Sequence, residues 1–221
     1  MPLTLPKLYA IVDEQAAALA GCTVPALGRT LMDAGVRLLQ LRAKLATGAR
    51  MLEHCEALRD AAHPHGAMIV VNDRFDVALA AGLRAVHVGQ DDLPPALVRR
   101  FLGEEGIIGL STHTREQIDA ALYEPIDYLA VGPIFDTGTK DTGYEPVGLG
   151  LVEYAASRTE LPVVAIGGIT LDRAVEVLEA GAASVAVISD LLRDGDPAAR
   201  VRAYLDAFAS GRQPADDEEE A

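Results

Sequence analysis

Tryptophan is missing from this sequence, cysteine occurs twice, and basic residues are outnumbered 19 to 33 by acidic ones. The cysteines, Cys22 and Cys55, stand far apart with no CxxC pair. That spacing offers neither a disulfide framework nor a zinc site, and it predicts two reduced thiols in a cytoplasmic protein. No apolar run reaches the roughly 18 residues of a membrane-spanning helix, so no membrane partner is expected. Residues Met1 to Lys7 lead into a strand without a basic segment and apolar run, which predicts no signal peptide. The net charge is −14, of which Asp216, Asp217, Glu218, Glu219 and Glu220 supply five, leaving −9 on the rest. So acidic a chain will not hold nucleic acid by bulk electrostatics. If its ligands are anions it must build local positive spots, where its few basic residues meet glycine-rich turns.

What is present is a regular alternation. Apolar runs at Leu8–Val12, Leu38–Arg42, Met68–Asn72, Ala85–Val88, Ile107–Leu110, Tyr128–Val131, Pro162–Ile166 and Ser184–Ile188 read as strands. Most are continuously apolar, as parallel strands covered on both faces must be. Between them, Pro25–Ala34, Gly48–His63, Arg74–Ala81, Pro94–Leu102, Arg115–Leu122, Leu149–Ala156 and Leu171–Ala180 read as helices, with Pro197–Phe208 as a last one. Gly82 and Gly181 suit positions just past helix ends, and Pro94 and Pro95 a helix start. Thr114 with Gln117 suits a capping box. The alternation predicts an α/β fold with a parallel sheet, and eight repeats predict closure into a single (β/α)₈ TIM barrel over residues 1–209. A doubly wound open sheet is the alternative. Residues 210–221 read as an acidic, disordered tail.

Chemistry in such a barrel gathers at the C-terminal ends of the strands. The second strand ends in Gln40-Leu41-Arg42-Ala43-Lys44, with two cations at alternate positions. The third ends in Asn72-Asp73 and the fourth in Gly89-Gln90-Asp91-Asp92. Asp73 and Asp92 therefore come from adjacent strands, and two carboxylates beside a phosphorylated ligand suit Mg²⁺. Either could instead cap a helix, and Asp91 competes with Asp92. Ser111 and His113 follow the fifth strand, with no acid–base role assigned to the histidine. After the sixth comes a long polar loop containing Thr137-Gly138-Thr139-Lys140, whose lysine can act as a mobile charge for phosphate. Gly167-Gly168 after the seventh strand and Ile188-Ser189 after the eighth match the usual phosphate site of this fold, where backbone N–H groups and a helix start bind the anion; the glycine pair alone would also suit a tight turn.

Taken in order, these segments resemble the thiamine-phosphate synthase family over residues 8 to 192. Each motif is weak alone; the ordered set is specific. The resemblance implies an Mg²⁺-dependent transferase that joins 4-amino-2-methyl-5-(diphosphooxymethyl)pyrimidine to a thiazole phosphate, giving thiamine phosphate and pyrophosphate. It implies that the pyrimidine diphosphate contacts Gln40, Leu41, Arg42, Ala43, Lys44, Asn72, Ser111 and Lys140. Of these, Arg42, Lys44, Ser111 and Lys140 would serve the reaction. It places Mg²⁺ on Asp73 and Asp92, and the thiazole phosphate on Thr137, Gly138, Thr139, Gly168, Ile188 and Ser189.

This sequence departs from the family pattern in two places. Ala43 stands where the family often has an acidic residue, and residues 141–146 differ from the basic or Ala-rich version. Three other readings share features with it. A thiazole tautomerase would lack the second metal carboxylate, a sugar-phosphate isomerase would want a proton-transferring pair, and a non-catalytic barrel binding a thiamine precursor would not need the Asp pair. The sequence leaves open the oligomeric state, a homo-oligomer included, and whether the thiazole carries a carboxylate.

Overall fold

The computed structural model describes residues 3–137 and 143–211. Expectations for Gly138, Thr139, Lys140 and residues 212–221 lie outside these. The strands are β1 (Leu8–Asp13), β2 (Leu38–Arg42), β3 (Met68–Asn72), β4 (Ala85–Val88), β5 (Ile107–Thr112), β6 (Tyr128–Val131), β7 (Val163–Ile166) and β8 (Ser184–Val187). All pair in parallel with their sequence neighbours, and β8 returns to β1, so the sheet is a closed barrel and not an open one.

The helices are α1 (Glu14–Leu19), α2 (Val24–Asp33), α3 (Gly48–Ala62), α4 (Phe75–Ala80), α5 (Pro95–Leu102), α6 (Arg115–Ala121), α7 (Leu149–Arg158), α8 (Leu171–Glu179) and α9 (Pro197–Ser210). The sequence reading omitted α1, a six-residue helix capped by Asp13, whose side chain accepts from Ala16 N. It also ended the last helix two residues early, since α9 runs on to Ser210 before Gly211 takes the left-handed conformation. The expected Thr114 cap forms, with Gln117 N donating to its hydroxyl. The Gln117 side chain closes back onto His113 N at 2.7 Å instead of onto the cap residue itself.

Strand alternation divides the core in two. Leu39 and Leu41 point outward into the layer between sheet and helices, where Met51, Cys55 and Leu58 of α3 meet them. Fully burying one such leucine contributes about 1.5–3 kcal/mol. Burial, with Glu56 nearby, pushes the Cys55 thiol up to about 12, so it stays an unreactive proton-bearing group. Neither Cys22 nor Cys55 forms a disulfide. The second core fills the barrel and holds Tyr9, Ile11, Leu38, Val70, Tyr128 and Ala130. Gly109 on β5 faces Tyr128 on β6. A methyl on Gly109 would lie 2.0 Å from the tyrosine ring, so the missing side chain is what admits the ring.

Candidate active site

Gln40 and Arg42 alternate with Leu41 along β2, so they face the barrel mouth while Leu41 is fully buried in the outer layer. The side chain of Leu41 therefore does not join the cavity, unlike its two neighbours. Arg42 forms a buried ion pair with Asp13 of β1, its partner in strand register. An unpaired buried charge would be costly, and Asp13 removes that cost while fixing where the guanidinium points. Asp13 was not singled out in the sequence, although an acid at the end of the neighbouring strand was the available signal.

A pocket of about 270 Å³ is lined by Ala43, Lys44, Asn72, Asp73 and Asp92, among others. Lys44 Nζ lies 3.1 Å from Asp73. Asp73 adopts a left-handed backbone with φ 62°, which aspartate tolerates better than most residues. It does not cap α4, whose preceding residue makes no side-chain cap bond. Instead its carboxyl meets that of Asp92, and Asp92 also accepts from Gly89 N at 2.7 Å. Asp91 is exposed and stays outside the pocket. Burial first, and then the adjacent Asp92 carboxyl, raise the Asp73 pKa, while Lys44 partly opposes the rise. Two facing carboxyls with one opposing lysine are under-compensated. A small divalent cation with oxygen preference fits that donor set, completing its shell with water and phosphate oxygens. Among the described residues no group of three or more His, Cys, Asp or Glu could hold a metal, which leaves this carboxylate pair as the candidate.

A second cavity, of about 490 Å³, opens beside the first over β5 to β8. Thr137, Gly168, Ile188 and Ser189 line it, and so does Ser111, which the resemblance assigns to the pyrimidine diphosphate. Gly167 and Gly168 have φ of 104° and 62°. A methyl on Gly168 would sit 2.3 Å from the Asp136 carbonyl, and one on Gly167 would sit 2.6 Å from Pro133. The pair thus lets the chain after β6 cross directly over the end of β7, with Phe135 N donating to the Gly167 carbonyl. The expected helix start after β8 is a short 3₁₀ segment, Ser189–Gly195, and the true α-helix begins at Pro197.

Asp190 anchors that segment. It accepts from Leu171 N at 3.2 Å, Arg200 Nε at 3.0 Å and the Tyr204 hydroxyl at 2.6 Å. Burial drives the Tyr204 pKa far above its usual value, so the hydroxyl stays protonated and donates. Two cations at this cavity, Arg173 and Arg193, were not anticipated. Arg173 stacks 4.7 Å over the Phe135 ring, and its place in the first turn of α8 was the only signal. His113 braces the region, its Nδ1–H donating to the Gly132 carbonyl and its ring stacking on Tyr144. Between the two cavities lies a narrow throat where Gln40, Arg42, Asn72, His87 and Ser111 meet apolar residues such as Val164 and Ile166; Asn72 borders it and the smaller pocket, while Ser111 and Ile188 border it and the larger cavity.

No helix among the described residues is long and apolar enough to cross a membrane.

A family model described as thiamine monophosphate synthase matches residues 8–191. A thiamine-phosphate synthase of Koribacter versatilis is 43% identical over 212 residues, covering 94% of this chain and 98% of its own. A thiamine biosynthesis bifunctional protein of Symbiobacterium thermophilum is 43% identical over 200 residues. That alignment covers 90% of this chain but only 40% of the bifunctional protein. The solved thiamine phosphate pyrophosphorylase from Pyrococcus furiosus superposes with a TM-score of 0.83 at 30% identity, covering 93% of this chain and 96% of that one. With the family model spanning most of the barrel and the fold and motif order in agreement, the chain belongs to the thiamine monophosphate synthase family.

Proposed function

We propose that this chain is a thiamine-phosphate synthase, in which the smaller pocket takes the diphosphate of an aminopyrimidine and the larger cavity takes a thiazole ethyl phosphate. The observation that carries the reading is their junction. A narrow throat runs between a cation-bearing carboxylate pocket, which it borders at Asn72, and a glycine-floored cavity, which it borders at Ser111 and Ile188.

In the reaction the bond between the pyrimidine methylene carbon and the diphosphate oxygen breaks, and the oxygen keeps the electron pair. The thiazole nitrogen then donates its lone pair to that carbon, forming the C–N bond. The 4-amino group donates electrons into the ring and stabilises the intervening cation. Charge grows on the departing diphosphate, so groups aimed there act more strongly on the transition state than on the ground state. Arg42, held by Asp13, is such a group, and Lys44 is another. Lys140 is assigned the same role from its place in the loop after β6. Mg²⁺ held by Asp73 and Asp92 would supply the further positive charge on the diphosphate when bound. Gly168 and Ser189, with Thr137, Gly138 and Thr139, would hold the thiazole phosphate and keep its nitrogen in line, which contributes through proximity. The scheme needs no covalent nucleophile and no general base, consistent with a site in which His113 is engaged in bracing.

The test is pyrophosphate release by the purified protein given both substrates, first with Mg²⁺ and then with EDTA. Release that needs both substrates and Mg²⁺ is the expected result. Release without the thiazole phosphate would mean transfer of the pyrimidine methylene to water, a hydrolase, and no release would favour an isomerase or a binding protein; either outcome would remove the synthase reading.

A further inference from the structure

Below the junction of the two cavities, a continuous chain of buried hydrogen bonds crosses the barrel from β2 to β5. Gln40 Nε2 donates to the Tyr9 hydroxyl at 3.0 Å, and the Tyr9 and Tyr128 hydroxyls are 3.0 Å apart. The Tyr128 hydroxyl lies 3.0 Å from His87 Nδ1, and His87 Nε2 lies 2.8 Å from Ser111 Oγ. All five residues are buried, Tyr9 and Tyr128 to 1% exposure. The His87 ring also stacks on that of Tyr128, and Tyr9 meets Tyr128 edge-on. None of Tyr9, Tyr128 and His87 has a part in the reaction as derived above.

The chain has a direction. With Gln40 oriented as it is, its amide nitrogen can only donate, so the Tyr9 oxygen accepts. The Tyr9 proton then has one place to go, the Tyr128 oxygen. The Tyr128 proton goes in turn to His87 Nδ1. That leaves the imidazole neutral with its proton on Nε2, donating to Ser111. Running the inner bonds the other way would leave the Tyr9 proton buried without an acceptor, at the full cost of its lost hydration. Burial raises the pKa of both tyrosines well above the usual phenol value, so both keep the protons that this order requires.

The ends of the chain are therefore fixed in polarity. Gln40 turns its carbonyl oxygen, which has no protein donor among the described residues and is not sealed off, toward the throat. Ser111, having accepted from His87, has its own hydroxyl proton left to donate there. We propose that Tyr9, Tyr128 and His87 are positioning residues, a one-way relay that fixes Gln40 as an acceptor and Ser111 as a donor. The site thereby selects a ring bearing an exocyclic amino group and an unprotonated ring nitrogen over its oxo counterpart. In the oxo ring the carbonyl replaces the amino donor and the neighbouring nitrogen carries a proton, so both matches become mismatches. The selectivity rests on the reading of Gln40 and Ser111 as pyrimidine contacts; the relay itself does not.

The experiment has two arms. Long-range ¹H–¹⁵N correlation spectra of the ligand-free chain, with His87 assigned by comparison with His87→Gln, report its tautomer directly. The neutral Nε2–H form is expected at pH 7, and an Nδ1–H form or an imidazolium would overturn the relay. The second arm measures binding of the aminopyrimidine diphosphate and its oxo analogue by calorimetry, in wild type and Tyr128→Phe. Removing the central hydroxyl should shrink the amino-over-oxo preference by about 10-fold or more, because Gln40 and Ser111 can then turn to suit either edge. Affinity for the thiazole phosphate should not change. An undiminished preference in Tyr128→Phe would overturn the proposal, and Tyr9→Phe serves the same purpose if the first variant does not fold. Failure of the wild type to make thiamine phosphate would sink the synthase reading alone, since tautomer and binding are read without turnover.

Discussion

Replacing Asp190 by asparagine should loosen the floor of the larger cavity from behind. The carboxylate is 5% exposed and its partner Arg200 is 18% exposed. It also holds the first backbone N–H of α8 and the Tyr204 hydroxyl. Asparagine keeps one acceptor but leaves the guanidinium without its counter-charge. Breaking such a pair from one side costs about 3–5 kcal/mol, and the partial wetting of Arg200 argues for the lower end. For a domain of this size each kcal/mol lowers Tm by about 2–4 °C, so a fall of about 6–12 °C is expected by calorimetry at a fixed scan rate. The double variant Asp190→Asn with Arg200→Met should recover part of the loss, because the stranded charge is then gone. KM for the thiazole phosphate should rise, since Ser189 precedes the anchor. A Tm within about 2 °C of wild type would refute the argument, for it would mean that Arg200 reaches water without penalty.

Other perturbations probe the rest of the site. Asp92→Ala should cut turnover strongly with the fold intact, and a near-normal rate at limiting Mg²⁺ would take Asp92 out of the metal site. Gly168→Ala should raise KM for the thiazole phosphate with little change for the pyrimidine, because its methyl would meet the Asp136 carbonyl at 2.3 Å; unaltered kinetics would show that the crossing chain yields easily. Asp73 has a carboxyl raised above its ordinary 3.8, so the folded state favours its proton and loses stability as pH rises from the ordinary carboxylate range. Asp73→Asn, which suits the left-handed backbone equally well, should therefore stabilise the metal-free protein at neutral pH, with the gain vanishing below pH about 4. A Tm difference that stays constant across pH would contradict that account.

The strands were legible because parallel strands buried on both faces must be apolar throughout, and no other element in the chain has that signature. The Asp73–Asp92 approach was legible for a related reason, since strand order alone puts the ends of β3 and β4 side by side. What escaped depended on closure or on contact. Tyr9 and Tyr128, 119 residues apart, look like ordinary members of two apolar runs until the barrel brings their hydroxyls together. His87 sits inside another such run. Helix α1 is short and half alanine, with no apolar period to announce it. Leu41 fell within a motif whose neighbours face the cavity, and the two-residue alternation of a strand turns it away.

The throat between the two cavities has a bearing on inhibition. If each pocket takes one phosphorylated substrate as proposed, a single molecule with an acidic group at each end would occupy both by threading the throat between them. Once one end is seated, the other is presented at an effective concentration set by the tether rather than by the solution. A two-headed ligand whose linker matches the span could exceed either half in affinity by about 10²-fold or more without any new contact. A linker too short to let both ends seat would forfeit that gain entirely, which makes the spacing of the two pockets a molecular ruler.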